Sequence, residues 1–425
     1  MRNVKGAVCV KCGTEYEAGG EIYTCACGGI LEIVFDYDFI KTKVSREKIA
    51  SRKDFSMWRY LEFLPIEENA ARGPLRTGWS PLYKTRALGE TMGLKNLYIK
   101  DDGLNPTSSL KDRASAIAAA RALSAGKNTV ACSSTGNAAS SLAGAAASMG
   151  LKSVIFVPER APQGKLTQLL IFGATVVSVR GDYGATFRLS AEAIERYGWY
   201  NRNAAVNPYL SEGKKTVSLE IVEQLGFTAP DFVAVSVGDG CTIAGVWKGF
   251  KDMYSVGLID KLPRLISVQA EGCCPVNRAV ERAGKNGGEV VVERMDENTI
   301  ADSIAVGVPR NGDKAAAAIR DSNGITINVS DEEILAAMRL LGKSAGVFGE
   351  PAGVAGTAGL AKAAALGLIP PDAPAVSIVT GNGLKDVASA QKAASTDASN
   401  LIHIEPNMNL LAEEFARRGF AAGTR

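Results

Sequence analysis

Residues 129–149 read TVACSSTGNAASSLAGAAASM, an apolar run followed by a polar turn and then a stretch of small residues. The run Thr129–Cys132 is short and bounded by a turn, which predicts a buried strand, and the alanine-rich stretch after it predicts a helix. A strand, a turn and a helix make up half of a βαβ unit. This stretch therefore favours an α/β fold built on a mainly parallel sheet.

The same alternation extends outward in both directions from this stretch. The predicted strands are Leu97–Lys100, Thr129–Cys132, Ser153–Val157, Thr175–Val179, Phe232–Val237, Arg264–Gln269 and Val376–Val379. The predicted helices are Asn137–Met149, Gly164–Phe172, Ala185–Tyr197 and Ile243–Met253. We therefore expect mainly parallel sheets covered by helices on both faces, with ligands bound beyond the carboxyl ends of the strands.

The composition argues against several classes of function. The 425 residues carry 48 Lys and Arg against 45 Asp and Glu, a net charge of only +3, so a nucleic-acid partner is not expected. We see no secretory leader and no apolar run of about 20 residues, which predicts no membrane span and a cytoplasmic location. The single histidine, His403, leaves no material for a histidine-based triad. Another side chain must serve as the base.

Four of the eight cysteines lie close to the N-terminus, at Cys9, Cys12, Cys25 and Cys27. They supply the four soft ligands of a structural zinc site, although a Cys-x-Cys pair gives a tighter bite than usual. Reduced cysteines without a metal are the alternative. We expect residues 1–35 to form a small zinc-ribbon-like unit, followed by a solvated charged connector at 41–53.

The loop Asn105–Arg113 precedes an alanine-rich helix that we expect to begin near Ala114. It places Lys111 at the start of that helix, where the helix dipole disfavours a cation. The pKa of the Lys111 amine should therefore be lowered, as a lysine nucleophile requires. The alternative is that Lys111 simply extends to solvent beside Asp112.

Three further polar loops follow predicted strands. Ser133–Asn137 opens a helix and offers N–H groups and hydroxyls to a carboxylate, and Gly238–Thr242 suits a phosphate unless Asp239 turns its carboxylate inward. Thr380–Lys385 presents a hydroxyl that could bond a ring nitrogen. Each loop alone also fits an ordinary turn or helix cap. Together, one of them with a lysine, they favour a phosphorylated aldehyde as cofactor.

Six motifs follow one another along the chain: NPTSSLKDR at 105–113, STGNAAS at 134–140, VNPY at 206–209, EGKKT at 212–216, EPA at 350–352 and TGNGLKD at 380–386. In this order they resemble the threonine synthase family, which belongs to the fold type II pyridoxal-phosphate-dependent, tryptophan-synthase-β-like enzymes. The resemblance covers nearly the whole chain. It implies a two-domain α/β fold, with a Cys-rich ribbon at 1–35, a large cofactor-binding domain at 36–115 and 210–400, a small α/β domain at 116–209 and a tail at 401–425.

The resemblance also implies a function and a site. The activity would be conversion of O-phospho-L-homoserine and water to L-threonine and phosphate, with pyridoxal phosphate as cofactor and Lys111 as Schiff-base lysine and proton shuttle. A homodimer would be usual. The implied cofactor ligands are Asn137, Gly238, Asp239, Gly240, Cys241, Thr242 and Thr380, and the implied ligands of the substrate carboxylate are Ser134, Thr135 and Gly136.

Departures from the family pattern put the substrate in question. The phosphate loop reads GDGCT at 238–242 where GNxGN is usual, and Leu210 stands where an arginine that could bind a phosphorylated substrate is common. The cations that could replace that arginine are Arg160, Lys165, Lys214 and Lys215. Two alternatives keep the cofactor, a serine or threonine ammonia-lyase and a β-replacement enzyme such as cysteate synthase. A third alternative, of another class, is a non-catalytic zinc-bearing scaffold.

Overall fold

The computed structural model of the chain describes residues 1–19, 22–161, 163–204, 206–284, 288–395 and 401–420, without the side chains of 163–165 and 183. Its strands are β1 (Val4–Cys9), β2 (Glu15–Glu17), β3 (Leu31–Phe35), β4 (Leu82–Lys84), β5 (Leu97–Asp101), β6 (Thr129–Ser133), β7 (Lys152–Pro158), β8 (Thr175–Val179), β9 (Tyr200–Asn201), β10 (Phe232–Ser236), β11 (Arg264–Ala270), β12 (Ile325–Val329) and β13 (Ala375–Val379).

The helices cover most of the remaining described chain. They are α1 (Tyr37–Lys43), α2 (Arg46–Ala50), α3 (Arg86–Met92), α4 (Lys111–Ser124), α5 (Asn137–Ser148), α6 (Gln163–Ile171), α7 (Tyr183–Tyr197), α8 (Tyr209–Lys214), α9 (Thr216–Gln224), α10 (Cys241–Ser255), α11 (Pro275–Ala283), α12 (Gly312–Asp321), α13 (Asp331–Ala345), α14 (Pro351–Ala365), α15 (Val387–Ser395) and α16 (Met408–Arg417). Short 3₁₀ helices lie at Met57–Phe63, Asp102–Leu104, Asp302–Ile304 and Gly383–Lys385. Within the described residues, no helix has both the length and the apolar character that crossing a bilayer requires.

The strands form three sheets. The N-terminal sheet is antiparallel in the order β2-β1-β3, the large sheet has the order β12-β11-β10-β13-β5-β4, and the smaller sheet has the order β8-β7-β6-β9. In the large sheet every pairing is parallel except that of β4 with β5. The four-stranded sheet is parallel throughout. The mainly parallel α/β architecture and the N-terminal ribbon expected from the sequence are confirmed.

The large sheet is buried on both faces, as continuous Val and Ile runs predict. Alternate residues of β10 point to opposite sides, so that Val233 and Val235 pack with helix α10 while Ala234 packs with helix α14. Helix α14 lies close to the sheet at Gly359, where an added Cβ would overlap the methyl groups of Val268. This close approach explains why a helix next to the sheet can be made largely of Ala and Gly.

Two segments differ from expectation. Residues 41–53 are mainly helical: α1 and α2 start from capping side chains of Asp36 and Ser45, and both helices bury an isoleucine completely, Ile40 and Ile49. The charged residues are solvated as predicted, on the outer faces of these helices, but the segment is helical and is anchored to the core by its isoleucines. Strand β12 was missed because its residues alternate between buried and half-buried positions at the edge of the sheet.

The carboxyl ends of β5, β10 and β13 lie side by side in the large sheet. Each is followed by one of the polar loops noted above, and the fourth such loop follows β6 in the other sheet. The topology thus explains how segments far apart in the sequence come together.

Candidate active site

A cavity of about 480 Å³ lies where these four strand ends meet. Every predicted cofactor ligand and carboxylate ligand lines it. They are Lys111, Ser134, Thr135, Gly136, Asn137, Gly238, Asp239, Gly240, Cys241, Thr242 and Thr380. The four N-terminal cysteines are not among the lining residues.

Lys111 is the first residue of α4, three positions before the expected helix start. Burial is the main reason that its pKa is lowered to about 8, and the positive charges of Lys214 and Arg202 lower it further. The expected direction is confirmed, with burial as the leading cause where the sequence suggested the helix dipole. The neighbouring carboxylate of Asp112 accepts hydrogen bonds from the backbone N–H and hydroxyl of Thr107, at 2.8 and 2.5 Å, and so fixes the loop.

The loop Gly238–Thr242 leads into α10 and leaves the first N–H groups of that helix without a side-chain cap. Asp239 does not oppose an anion there. One of its carboxylate oxygens accepts the N–H of Arg310 at 2.9 Å, and the other accepts the side-chain amide of Asn311 at 2.8 Å. The start of α10 therefore suits a phosphate group.

Lys214 brings a fully buried ammonium group to the same place. Its Nζ donates to the sulfur of Cys241, and within the described chain no carboxylate lies at ion-pair distance from it. An ammonium buried in this way is costly unless an anion compensates it. Lys214 thus indicates that the cavity receives an anionic ligand.

Arg202 and Asn203 line the cavity beside Lys111. Arg202 is buried and donates to the hydroxyls of Ser115 and Ser141, at 3.0 and 3.3 Å. The side-chain oxygen of Asn203 accepts the N–H of Ser133 at 3.0 Å, while its NH₂ group finds no acceptor among the described residues. The NH₂ group of Asn203 is therefore available to a ligand in the cavity. Neither residue was predicted from the sequence, because neither belongs to a turn or helix start that would mark it.

Helix α5 begins at Asn137 with Gly136 as its N-cap residue, and no side chain caps its first turn. Ser134 accepts the N–H of Gly136 through its hydroxyl at 3.2 Å, which shapes the loop. The free N–H groups at this helix start can hold a carboxylate, as the sequence predicted.

Asn137 also links the two sheets, because its amide donates to Oε1 of Glu350 at 2.6 Å. Glu350 stands at the N-cap of α14, and burial raises its pKa to about 7. Glu350 lies in the EPA motif at 350–352, and no role was predicted for it. Thr380 is held next to the Lys111 loop, since its carbonyl accepts the N–H of Leu110 at 2.9 Å.

The four cations suggested in place of the missing arginine lie in different environments. Arg160 is exposed after β7 and does not line the cavity, and the side chain of Lys165 lies outside the described residues. Lys215 is paired with Glu212 and Asp252 at 2.7 and 2.6 Å. Lys214 alone of the described three faces the cavity. Leu210 is buried in the apolar core.

This donor set fits a phosphorylated aldehyde. A buried amine can react with the aldehyde, the uncapped start of α10 can hold its phosphate, and Lys214 and Asn203 offer further donors. The geometry alone would accept any such compound of the right size.

Comparison with known proteins shows to which class of protein the chain belongs. Residues 74–381 match the family model described as pyridoxal-phosphate dependent enzyme. The processed form of threonine deaminase isoform 2 from Solanum lycopersicum superimposes with a TM-score of 0.62, at 20% identity, over 84% of this chain and 92% of that chain. At this identity the likeness concerns the fold. Fold, site and family match together define a pyridoxal-phosphate-dependent enzyme.

Relatives of higher identity define the family within that class. Threonine synthase of Methanocaldococcus jannaschii is 40% identical over 404 residues, which cover 95% of this chain and 97% of the relative. Threonine synthase of Methanosarcina acetivorans is 39% identical over 380 residues, or 89% of this chain and 91% of the relative. The chain belongs to the threonine synthase family, and the resemblance noted in the sequence is confirmed.

Proposed function

We propose that the protein is a threonine synthase, which converts O-phospho-L-homoserine and water to L-threonine and phosphate. The observation that carries this proposal is the buried amine of Lys111 in a cavity that also offers two uncapped helix starts and the ammonium of Lys214, which has no carboxylate partner among the described residues. Such a cavity suits a ligand set with a carboxylate and phosphate groups. The family membership gives the reaction type.

Lys111 would hold the cofactor through Nζ and then move protons once the substrate has replaced it. With a pKa near 8, the amine loses its proton far more readily close to neutral pH than an ordinary lysine does, and the neutral amine can remove the proton from Cα. The bound cofactor supplies an electron sink for the pair left at Cα. The ammonium group that Lys111 forms by taking this proton can return it later in the reaction, since no histidine lines the cavity.

Each of the remaining donors would bind a different anionic group of the substrate or the cofactor. The start of α5, with Ser134, Thr135 and Gly136, holds the substrate carboxylate, and the start of α10 holds the phosphate of the cofactor. Lys214 takes the role of the arginine that Leu210 replaces and meets the phosphate that leaves the substrate. Its burial supports this assignment, because a cation without a carboxylate partner is stabilised by the phosphate.

We also propose a domain arrangement, a location and an oligomeric state for the protein. The large domain comprises 36–115 and 210–400, the small domain 116–209, and relative movement of the two would close the cavity over the substrate. The location of β6–β9 within the small segment supports this division. We further propose a cytoplasmic homodimer.

The deciding experiment supplies the purified, cofactor-loaded enzyme with O-phosphohomoserine and measures phosphate and threonine. We expect both products in equal amounts, and neither from a Lys111→Ala variant. Parallel reactions contain threonine, serine, or O-phosphoserine with sulfite. A 2-oxo acid as the main product would establish the ammonia-lyase, cysteate would establish the β-replacement enzyme, and bound cofactor without any turnover would favour a scaffold. Each of these results would contradict the proposal.

A further inference from the structure

The four N-terminal cysteines form one compact cluster of thiol groups. Their sulfur atoms all lie within 4.8 Å of one another, with Cys9 and Cys27 at 3.5 Å and Cys12 and Cys25 also at 3.5 Å. In a tetrahedral zinc–thiolate site with bonds of about 2.3 Å, neighbouring sulfurs are about 3.8 Å apart. The cluster therefore already has nearly the dimensions of such a site.

The backbone around the cluster holds each cysteine pair in a tight turn. Gly13 and Gly28 follow the two pairs with φ angles of +74° and +77°, and their N–H groups donate to the carbonyls of Cys9 and Cys25 at 2.9 Å. The N–H of Lys11 points at the sulfur of Cys9 at 3.4 Å. A donor to the sulfur favours a thiolate and so supports metal binding.

We propose that Cys9, Cys12, Cys25 and Cys27 bind one Zn²⁺ ion, and that this ion supports the cofactor-binding loop from a distance. The first part rests on the thiol cluster. The second part rests on how strand β3, which follows the cluster, is attached to the catalytic domain. Neither part depends on which substrate the enzyme uses.

Glu32 is the residue of β3 that makes this attachment. Its two carboxylate oxygens pair with Lys248 on α10 and Lys314 on α12, each at 2.5 Å. The same two ammonium groups donate to the β3 carbonyls of Ile33 and Leu31, at 2.5 and 2.6 Å. Burial by itself would raise the pKa of Glu32, but the two lysines outweigh it and hold the pKa below its usual range.

Both helices that Glu32 joins frame the loop Gly238–Thr242. Helix α10 starts at Cys241, the residue that Lys214 contacts. Helix α12 follows Asn311, whose backbone N–H donates to the carbonyl of Asp239 at 3.0 Å and whose amide donates to its carboxylate at 2.8 Å. The ribbon therefore links α10 and α12 next to the loop that would hold the cofactor's phosphate. If the ribbon unfolds without its metal, the contacts of Glu32 with α10 and α12 would be lost.

Metal analysis of the purified full-length enzyme tests the binding site. We expect about one zinc per chain by elemental analysis, a colourless apoenzyme and loss of the zinc from a Cys12→Ser or Cys27→Ser variant, both at exposed positions. Cys274→Ala is the matched control, since Cys274 is buried outside the ribbon, and it should keep its zinc. Absence of zinc from the wild-type chain, or the visible absorption of an iron–thiolate site, would overturn the assignment.

Titration of the apoenzyme with pyridoxal phosphate tests the coupling without any turnover. We expect Glu32→Gln to keep its zinc but to bind the cofactor about tenfold more weakly, as expected for members of one salt-bridge network. The zinc-free Cys12→Ser variant should show a similar loss, and Cys274→Ala none. If Cys12→Ser does not fold, Glu32→Gln decides alone. Unchanged cofactor affinity in Glu32→Gln would overturn the coupling and leave the zinc site to the metal analysis.

Discussion

Burial and two neighbouring cations, Lys214 and Arg202, lower the pKa of Lys111 to about 8. The folded-state value lies below the usual value of 10.5, so the protonated amine is the disfavoured form inside the protein. In pH terms, the reactive neutral amine is gained as the pH rises through about 8 and is lost below it.

The rate at which the apoenzyme combines with pyridoxal phosphate should therefore rise with pH and level off above a midpoint near 8. Stopped-flow absorbance between pH 6 and about 11.5 measures this profile, a range that brackets the ordinary lysine pKa of 10.5. N-acetyl-lysine amide, whose only amine is the side-chain amine, provides the reference under the same conditions. A midpoint indistinguishable from that of the free amine would show that the site does not tune Lys111.

Replacing Lys214 by methionine should raise the KM for O-phosphohomoserine more than it weakens cofactor binding. We expect a rise of about tenfold to a hundredfold, since a charge-assisted hydrogen bond to a phosphate contributes about 1.5–3 kcal/mol. Arg160→Ala is the comparison, because this exposed residue does not line the cavity. Steady-state kinetics and cofactor titration separate the two effects. A variant with a normal KM would remove Lys214 from the substrate site.

At this scale the sequence predicted the residues on the loops but not those that support them. Lys111, Asn137 and Thr380 were found because each follows a strand or starts a helix. Glu350 and Asn203 were not assigned, because their contribution depends on a partner far away in the chain. The amide of Asn137 reaches Glu350 across 213 positions, a contact that local patterns cannot show.

Among the secondary-structure elements, α14 depends on glycine where it meets the large sheet. An Ala at position 359 would force its Cβ into Val268, so Gly359→Ala should destabilise the fold by about 1–3 kcal/mol. Gly342 in α13 is the matched control, because open space surrounds it, and Gly342→Ala should stabilise by about 0.5–1 kcal/mol. Urea unfolding measures both. Equal effects at the two positions would contradict this packing.

The strands predicted from the sequence lie within about one residue of those observed for most of the parallel strands, because buried parallel strands are continuous apolar runs. Outside the N-terminal ribbon, the missed strands are β4, β9 and β12. Strand β9 has only two residues, and the other two lie at sheet edges, where half-exposed side chains weaken the apolar signal.

At the scale of the whole molecule, a buried group of charges joins α4, β5 and α9. Arg113 pairs with Asp102 at 2.7 Å and with Glu220, and Lys100 pairs with the same Glu220 at 2.7 Å. All four side chains are fully enclosed. Arg113 and Glu220 are 107 positions apart, so no sequence pattern could have placed them together.

Glu220→Gln should destabilise the protein by about 3–5 kcal/mol, because it leaves two buried cations without their shared counter-ion. Glu90→Gln is the control: Glu90 forms an exposed pair with Arg86, so its loss should change the unfolding free energy by less than about 1 kcal/mol. Chemical denaturation measures both. A small effect of Glu220→Gln would mean that water or other groups reach the network.

The pH dependence of the unfolding free energy is a second test of this charge network. Burial would raise the pKa of Glu220, but Arg113 and Lys100 outweigh it and lower the pKa to about 2. A lowered value means that the stabilisation is complete above the unfolded-state pKa of about 4.3 and is lost as the pH falls toward 2. The wild-type protein should lose stability over that interval, and Glu220→Gln should lose less.

The central claim is that Lys111 carries the cofactor. Borohydride reduction of the holoenzyme followed by peptide mapping measures this directly. We predict that the mass of the reduced cofactor is found on Lys111, and that Lys214, in the same cavity, remains unmodified. Finding Lys111 unmodified in an active preparation, or the label on another lysine, would contradict the account.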